Sequence, residues 1–366
     1  MINGHGGNVY EWAKVIGCSS DEIIDMSSNI NPLGSPPLLL DDIKERLHHI
    51  HRLPEVDSKT LIRTFAVFYD KHVDQVTCAA GTTEFIYHLP KILNIKKALI
   101  IGPTYADYAD ACIRQGAEIR YLIAEASQNF QAPINDQEID RVDTVFLCNP
   151  NNPSGHFIPI APLKAICKSH PDVRFIVDES YLHFNADYEY ETMIRCGLSN
   201  VIVLCSFSKI FAIPGLRLGF MVGDKQTINA FRKQEKPWNV NIMAQIAGIY
   251  LFKNMLVVQE FIQKTALHIQ TEKIRFQNAL ACYPHVQTFA DFAPFMLIKL
   301  PDYLTSKTVC SQLAQKKFLI RDCSNFYGLS EHFIRIAYKD ADKNIALLEH
   351  LSALLKNEQE SKEKEE

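Results

Sequence analysis

A lysine set directly after an apolar strand is an uncommon arrangement. Residues 201–205 form a continuous apolar run, and Ser206-Phe207-Ser208-Lys209 follows it. Lysine is seldom buried without a partner. A partly desolvated lysine among other cations has a lowered pKa, so its amine is neutral enough to attack an aldehyde and form a Schiff base. Arg217 stands eight residues further on, in Ala-Ile-Pro-Gly-Leu-Arg-Leu-Gly. Two serine hydroxyls and a guanidinium around such a lysine suit a phosphate ester. Taken alone, the same segment would also serve as a surface loop.

Other segments add parts to this chemistry. Asp178-Glu179-Ser180-Tyr181 follows the apolar run 173–177. Pyridoxal 5'-phosphate (PLP) acts as an electron sink only while its ring nitrogen stays protonated, and a buried carboxylate beside that nitrogen keeps it so by charge pairing. Asp178 fits that role, although a strand-end aspartate is also a common helix N-cap. Tyr181 is placed to hydrogen-bond the phenolic oxygen of the ring. Asn149-Pro150-Asn151-Asn152-Pro153-Ser154-Gly155 follows another strand-like run. It reads as a turn, from which Asn152 can offer its amide to the same oxygen. Gly81-Thr82-Thr83 precedes a helix-like stretch. A glycine turn that opens a helix presents free N–H groups to an anion, so these three residues form a cup for the cofactor phosphate. Tyr105, in Gly-Pro-Thr-Tyr-Ala-Asp-Tyr, can stack on the pyridine ring.

In this order, the segments resemble fold-type I PLP enzymes, the aminotransferase superfamily. The motifs NPNNPSG, VDESY, SFSKIFAIPGLRLG and the late FIRIA carry the resemblance over nearly the whole chain. It implies that Lys209, Asp178, Tyr181 and Asn152 hold the roles given above, and that Arg335 binds a substrate α-carboxylate.

The N-terminal part narrows the resemblance. His-Gly-Gly-Asn at 5–8 and Met-Ser-Ser-Asn-Ile-Asn-Pro-Leu-Gly at 26–34 are similar to the threonine-phosphate decarboxylase branch of cobalamin biosynthesis. Cys-Ser-Asn-Phe-Tyr-Gly-Leu, after Arg321, is similar to that branch's substrate segment. The branch implies that His5, Asn29, Arg321 and Arg335 grip the phosphate and carboxylate of a small phosphorylated amino acid, with Asn152 beside them. The neighbouring branch, histidinol-phosphate aminotransferase, is the alternative. The superfamily implies a homodimer with its active site at the interface. One departure is Leu53, in His-Arg-Leu-Pro-Glu. Many relatives carry a tyrosine there that reaches the cofactor phosphate of the neighbouring subunit.

The elements that must position these residues are legible as patterns. Runs 98–101, 144–148, 173–177 and 201–205 are continuously apolar, as strands covered on both faces are. Helix-like stretches 105–115 and 160–169 lie among them, which argues for a parallel α/β sheet with ligands at the carboxyl ends of its strands. Beyond about residue 225 the pattern changes. Residues 241–282 read as helical, 295–300, 318–321 and 333–337 as strands, 307–316 and 340–356 as helices. The expected fold is α/β, PLP-dependent fold type I: a large, mixed, mainly parallel sheet domain over 41–255 and a small α+β domain over 256–356. Residues 1–40 form an arm joining the small domain, and 357–366 a disordered tail.

Composition closes off other classes. The chain has 366 residues, 47% of them hydrophobic, and a net charge of -4. That is globular usage with no basic field for nucleic acid. No secretory signal and no run of about 18 apolar residues appears. The ten cysteines are scattered singly without zinc spacing, so no metal site is expected and a reducing cytoplasm is.

Overall fold

The computed structural model describes residues 6–365, with side chains described through residue 356. In chain order the strands are β1 Ile24–Asp25, β2 Val76–Ala79, β3 Lys97–Gly102, β4 Glu118–Ile123, β5 Thr144–Cys148, β6 Arg174–Asp178, β7 Val201–Ser206, β8 Gly219–Val222, β9 Gln287–Phe289, β10 Phe295–Lys299, β11 Phe318–Leu319, β12 Arg321–Asp322 and β13 Phe333–Ala337.

Seven of them form one sheet in the order β2-β8-β7-β6-β5-β3-β4. The pairs β3–β4, β3–β5, β5–β6 and β6–β7 are parallel, and β8 runs antiparallel to both β7 and β2. The mixed, mainly parallel sheet is therefore as expected. The four apolar runs are its strands β3, β5, β6 and β7, and they are buried almost throughout. Three strands of this sheet were not read from the sequence. β4 is an edge strand of intermediate burial, so it lacks a continuous apolar run. β2 and β8 are four residues each, too short to show a period.

The topology brings many ends to one edge. β2, β3, β5, β6 and β7 all finish there, and β8 starts there, because Gly219 pairs with both Ala79 and Ser206. The residues that follow these ends are the ones the motifs single out.

The C-terminal part carries an antiparallel sheet ordered β12-β13-β10-β9, with the long helix Met255–Leu280 and the closing helix packed with it. The expected strand over 318–321 is two strands in two sheets. β11 pairs in parallel with β1, while β12 pairs with β13. The chain changes partner at Ile320, which is buried. A second difference is at the end, where residues 357–365, expected to be disordered, continue the helix Ala341–Glu365. Glu, Gln and Lys are good helix formers. No single helix among the described residues is long and apolar enough to cross a membrane.

Candidate active site

Two chambers open at the shared strand edge. One, of about 220 Å³, is lined by Gly81, Thr82, Thr83, Tyr108, Asp178, Ser206, Ser208 and Arg217 among others. The other, of about 250 Å³, is lined by Ser27, Asn29, Arg321, Asn325, Phe326 and Arg335 among others. Tyr105, Asn152, Tyr181 and Lys209 line both. Lys209 therefore stands at the doorway between them.

Lys209 belongs to a single helical turn, Phe207–Ile210, that follows β7 directly. Its amine has no hydrogen-bond or ion-pair partner among the described residues. Burial lowers its pKa to about 8, with further lowering from Arg335 and Arg217 and a smaller opposing effect from Asp25. Asn31 fixes the turn from outside. Its backbone N–H donates to the Lys209 carbonyl at 3.0 Å, and its Nδ2 donates to the Ile210 carbonyl at 2.7 Å.

Asp178 closes the inner chamber from the end of β6 and is buried. Its Oδ1 accepts from the Ser180 N–H at 2.9 Å and from the Ser180 hydroxyl at 2.5 Å; its Oδ2 accepts from the Tyr108 hydroxyl at 2.7 Å. Burial raises its pKa, against the lowering by those hydrogen bonds. A buried carboxylate held this way, with no cation paired to it, suits a protonated ring nitrogen.

The opposite end of the chamber is built for an anion. The 11-residue helix Thr82–Ile92 begins there, with Gly81 as its N-cap at φ 94. A Cβ on Gly81 would sit 2.6 Å from Arg217 Nη2 and displace the guanidinium, and the φ of 94 itself favours glycine. The Ser208 hydroxyl is buried with no protein partner. A helix N-terminus, an arginine and an orphaned hydroxyl facing one space match a phosphate. An aldehyde-seeking amine, a ring-nitrogen carboxylate and this cup together fit PLP.

The outer chamber, which Asp107, Asp110 and Arg114 also line, holds two arginines on neighbouring strands. Arg321 on β12 and Arg335 on β13 are direct cross-strand partners. Like charges directly opposite are destabilising, yet neither has a carboxylate partner among the described residues. Neutral groups orient them instead. Arg335, buried, donates from Nη1 to Asn152 Oδ1 and from Nη2 to the Ser27 carbonyl at 2.8 Å, and its Cζ lies 5.1 Å from the Phe295 ring. Its Nε is left without a partner. Arg321 donates from Nη2 to Asn325 Oδ1 at 2.7 Å and lies 5.1 Å from the Phe326 ring. Burial lowers the pKa of Arg321, and Arg335 lowers it further.

Tyr181 receives a hydrogen bond from Asn29 Nδ2 at 2.8 Å, and burial pushes its hydroxyl up to about 12. The Asn29 Oδ1 is buried and has no partner among the described residues. Asn152 gives its oxygen to Arg335, so its amide hydrogens remain for another acceptor.

The structure thus brings Asn29, Gly81, Thr82, Thr83, Tyr105, Asn152, Asp178, Tyr181, Ser206, Ser208, Lys209, Arg217, Arg321 and Arg335 into two adjoining spaces. His5 lies outside the described residues. Leu53 is 72% exposed and lines neither space. Sequence reasoning missed Tyr108, Asn31 and Ser27. Tyr108 stood in the quoted Tyr105-Ala-Asp-Tyr108 segment, where it reads as a second tyrosine of the same helix start. Ser27 acts through its carbonyl, which no sequence pattern marks.

Two outcomes are expected. In cofactor-free protein, PLP capture at Lys209, fixed by borohydride and mapped on peptides, should rise with pH through about 8. A lowered pKa leaves the amine half neutral there, whereas an ordinary lysine is almost wholly protonated at that pH. A midpoint near that of surface lysines, or label on another lysine, would contradict the site. Asp178→Asn should fold and bind PLP but lose turnover by orders of magnitude, and Tyr108→Phe should lose less. Near-normal turnover of Asp178→Asn would reduce Asp178 to a capping residue.

Comparison with known proteins agrees with this geometry. The model of the aminotransferase class I and II family matches residues 21–351. The threonine-phosphate decarboxylase of Salmonella typhimurium is 32% identical, over 96% of this chain and 97% of its own length. The crystal structure of L-threonine-O-3-phosphate decarboxylase from Porphyromonas gingivalis superposes with a TM-score of 0.80 at 26% identity, covering 90% of this chain and 99% of that one. The histidinol-phosphate aminotransferase structure from Clostridium acetobutylicum gives 0.82 at 28% identity, covering 91% and 99%. The chain belongs to the aminotransferase class I and II family.

Proposed function

We propose that this protein decarboxylates L-threonine O-3-phosphate, or L-serine O-phosphate, to the corresponding aminoalkyl phosphate, using PLP. The observation that carries the reading is the cross-strand pair Arg321 and Arg335, two guanidiniums that line one space beside Lys209 and have no carboxylate ion-paired to them among the described residues. A phosphorylated amino acid brings two anionic groups at once, a phosphate and a carboxylate. Histidinol phosphate, the substrate of the alternative aminotransferase reading, has no carboxylate. The likeness to the Salmonella decarboxylase supports the same choice.

Bound PLP supplies a sink for the electron pair left when a bond to the substrate's Cα breaks. The rest falls to the chain. Ser206, Ser208, Arg217 and the Gly81–Thr83 turn would hold the phosphate of the cofactor, and Tyr105 would stack on its ring. Asp178, aimed by Tyr108 and Ser180, would keep the proton on the ring nitrogen. Tyr181 and the Asn152 amide would take the phenolic oxygen. Arg335 binds the substrate carboxylate, while Arg321, with Asn29 and His5, binds the substrate phosphate. Two fixed anchors set which bond at Cα is strained, and that choice separates decarboxylation from transamination. CO₂ leaves, and the Lys209 amine, which takes a proton from the substrate ammonium as that group displaces it, would deliver that proton to Cα. From threonine phosphate the product is (R)-1-amino-2-propanol phosphate, of use as the linker of a cobamide nucleotide loop.

The protein is expected to release CO₂ and the amine from threonine phosphate without any oxo-acid. Arg321→Ala should weaken substrate binding by about 2–4 kcal/mol while sparing PLP, and Arg321→Lys should recover part, since an ammonium lacks the planar fork. Rapid turnover of histidinol phosphate with 2-oxoglutarate would instead assign the aminotransferase activity.

We further propose a homodimer working in a reducing cytoplasm. Leu47, Ile50, Leu53 and Val56 expose a run of apolar side chains that a second copy would cover. Light scattering of active enzyme should give the dimer mass; a fully active monomer would refute it.

A further inference from the structure

The segment that follows Arg321 has two separate footings. At its base, Asp322 Oδ1 accepts from the Ser306 hydroxyl and from the Ser324 N–H, both at 2.8 Å, which ties it to the C-terminal unit. Phe326 then turns inward. It is buried in a small apolar cluster with Ala124, Phe130, Phe289, Leu297 and Phe333. The tip reaches further. Tyr327, 63% exposed, stacks on Tyr121 with ring centroids 4.1 Å apart at 25°. Gly328, at φ 95, lies so near β4 that a Cβ would stand 2.7 Å from Ile123 Cγ2.

Tyr121 and Ile123 are two apart on β4, so they face the same way. β4 is the last strand of the seven-stranded sheet. The segment therefore starts in the C-terminal sheet and ends on the edge of the large one, with Arg321, Asn325 and Phe326 lining the outer chamber in between. An exposed tyrosine that only decorates a surface has no reason to stack on another element. This one closes a bridge whose span carries the guanidinium.

We propose that Tyr121 and Tyr327 clamp this bridge and are positioning residues that set specificity for a substrate with a dianionic side chain. The inference rests on Arg321 taking the substrate phosphate. Arg335 is independent of the clamp, because its anchors are Asn152, the Ser27 carbonyl and the Phe295 ring. Loosening the tip thus affects the phosphate end and leaves the carboxylate end in place.

The test uses PLP-loaded enzyme and reads binding from the cofactor's absorbance, which responds to a bound amino acid whichever bond later breaks. Dissociation constants are measured for O-phospho-L-threonine and for L-alanine, which has the carboxylate but no phosphate. Tyr327→Ala and Tyr121→Ala should each weaken phosphothreonine binding by about tenfold, the scale of one aromatic pair. The double variant should be no worse than either single one. L-alanine binding should be unchanged, and Tyr327→Phe should behave as the parent, since the ring and not the hydroxyl stacks. Phosphothreonine binding by Tyr327→Ala within about twofold of the parent, or an equal loss for L-alanine, would overturn the clamp. Arg321→Ala runs in parallel. If it leaves phosphothreonine binding intact, the phosphate assignment fails and the clamp with it.

Discussion

Positive charge gathered where water is scarce is the constraint on which this site depends. Arg335 and Arg217 add to burial in lowering the pKa of Lys209, and Arg321 and Arg335 face each other across two strands. Pairing each with a carboxylate would relieve the repulsion and abolish the site. The chain uses neutral partners instead: the Asn152 and Asn325 side-chain oxygens, the Ser27 carbonyl, and the faces of Phe295 and Phe326. Such partners fix the direction of a guanidinium without cancelling its charge. The charge stays available for the anions that enter, and burial together with the same repulsion lowers the pKa of the lysine amine to about 8.

The sheet makes this crowding feasible. Loops converge only where strands end together, and here six strands meet one edge. Each contributes one short polar segment: the helix start after β2, Tyr105 after β3, Asn152 after β5, Asp178 at the end of β6, the lysine turn after β7 and Arg217 before β8. Among the residues that line the site, Gly81 and Arg217 take positive φ, at 94 and 57. Rigid strands do the positioning, and the loops stay short.

Much of this was legible in the sequence, for a physical reason. A strand covered on both faces must be apolar throughout, so a polar residue directly after it stands out. That is how Lys209, Asp178 and Asn152 were found. What escaped is what does not depend on residue type. The Ser27 carbonyl serves Arg335 through the backbone. The change of partner at Ile320 leaves no trace in hydrophobicity, because β11 and β12 together look like one strand. Tyr108 was hidden by Tyr105, three residues earlier and more openly placed. The arginine pair was seen as two residues, but its register across β12 and β13 is a property of pairing, which a single chain does not print.

That change of partner also sets a length standard. β11 hydrogen-bonds to β1 and β12 carries Arg321, with one residue between them. Asn29 follows β1 by four residues and meets Tyr181. The spacing from Asn29 to Arg321 is thus measured out along a short ruler of two paired strands, not across a loop that can stretch. Two residues of the outer chamber, nearly three hundred positions apart in the chain, are gauged against each other within a few residues of backbone. Natural variation in chain length can accumulate freely at the surface turns, but the stretch from Ile24 to Asn29 has no slack to absorb it.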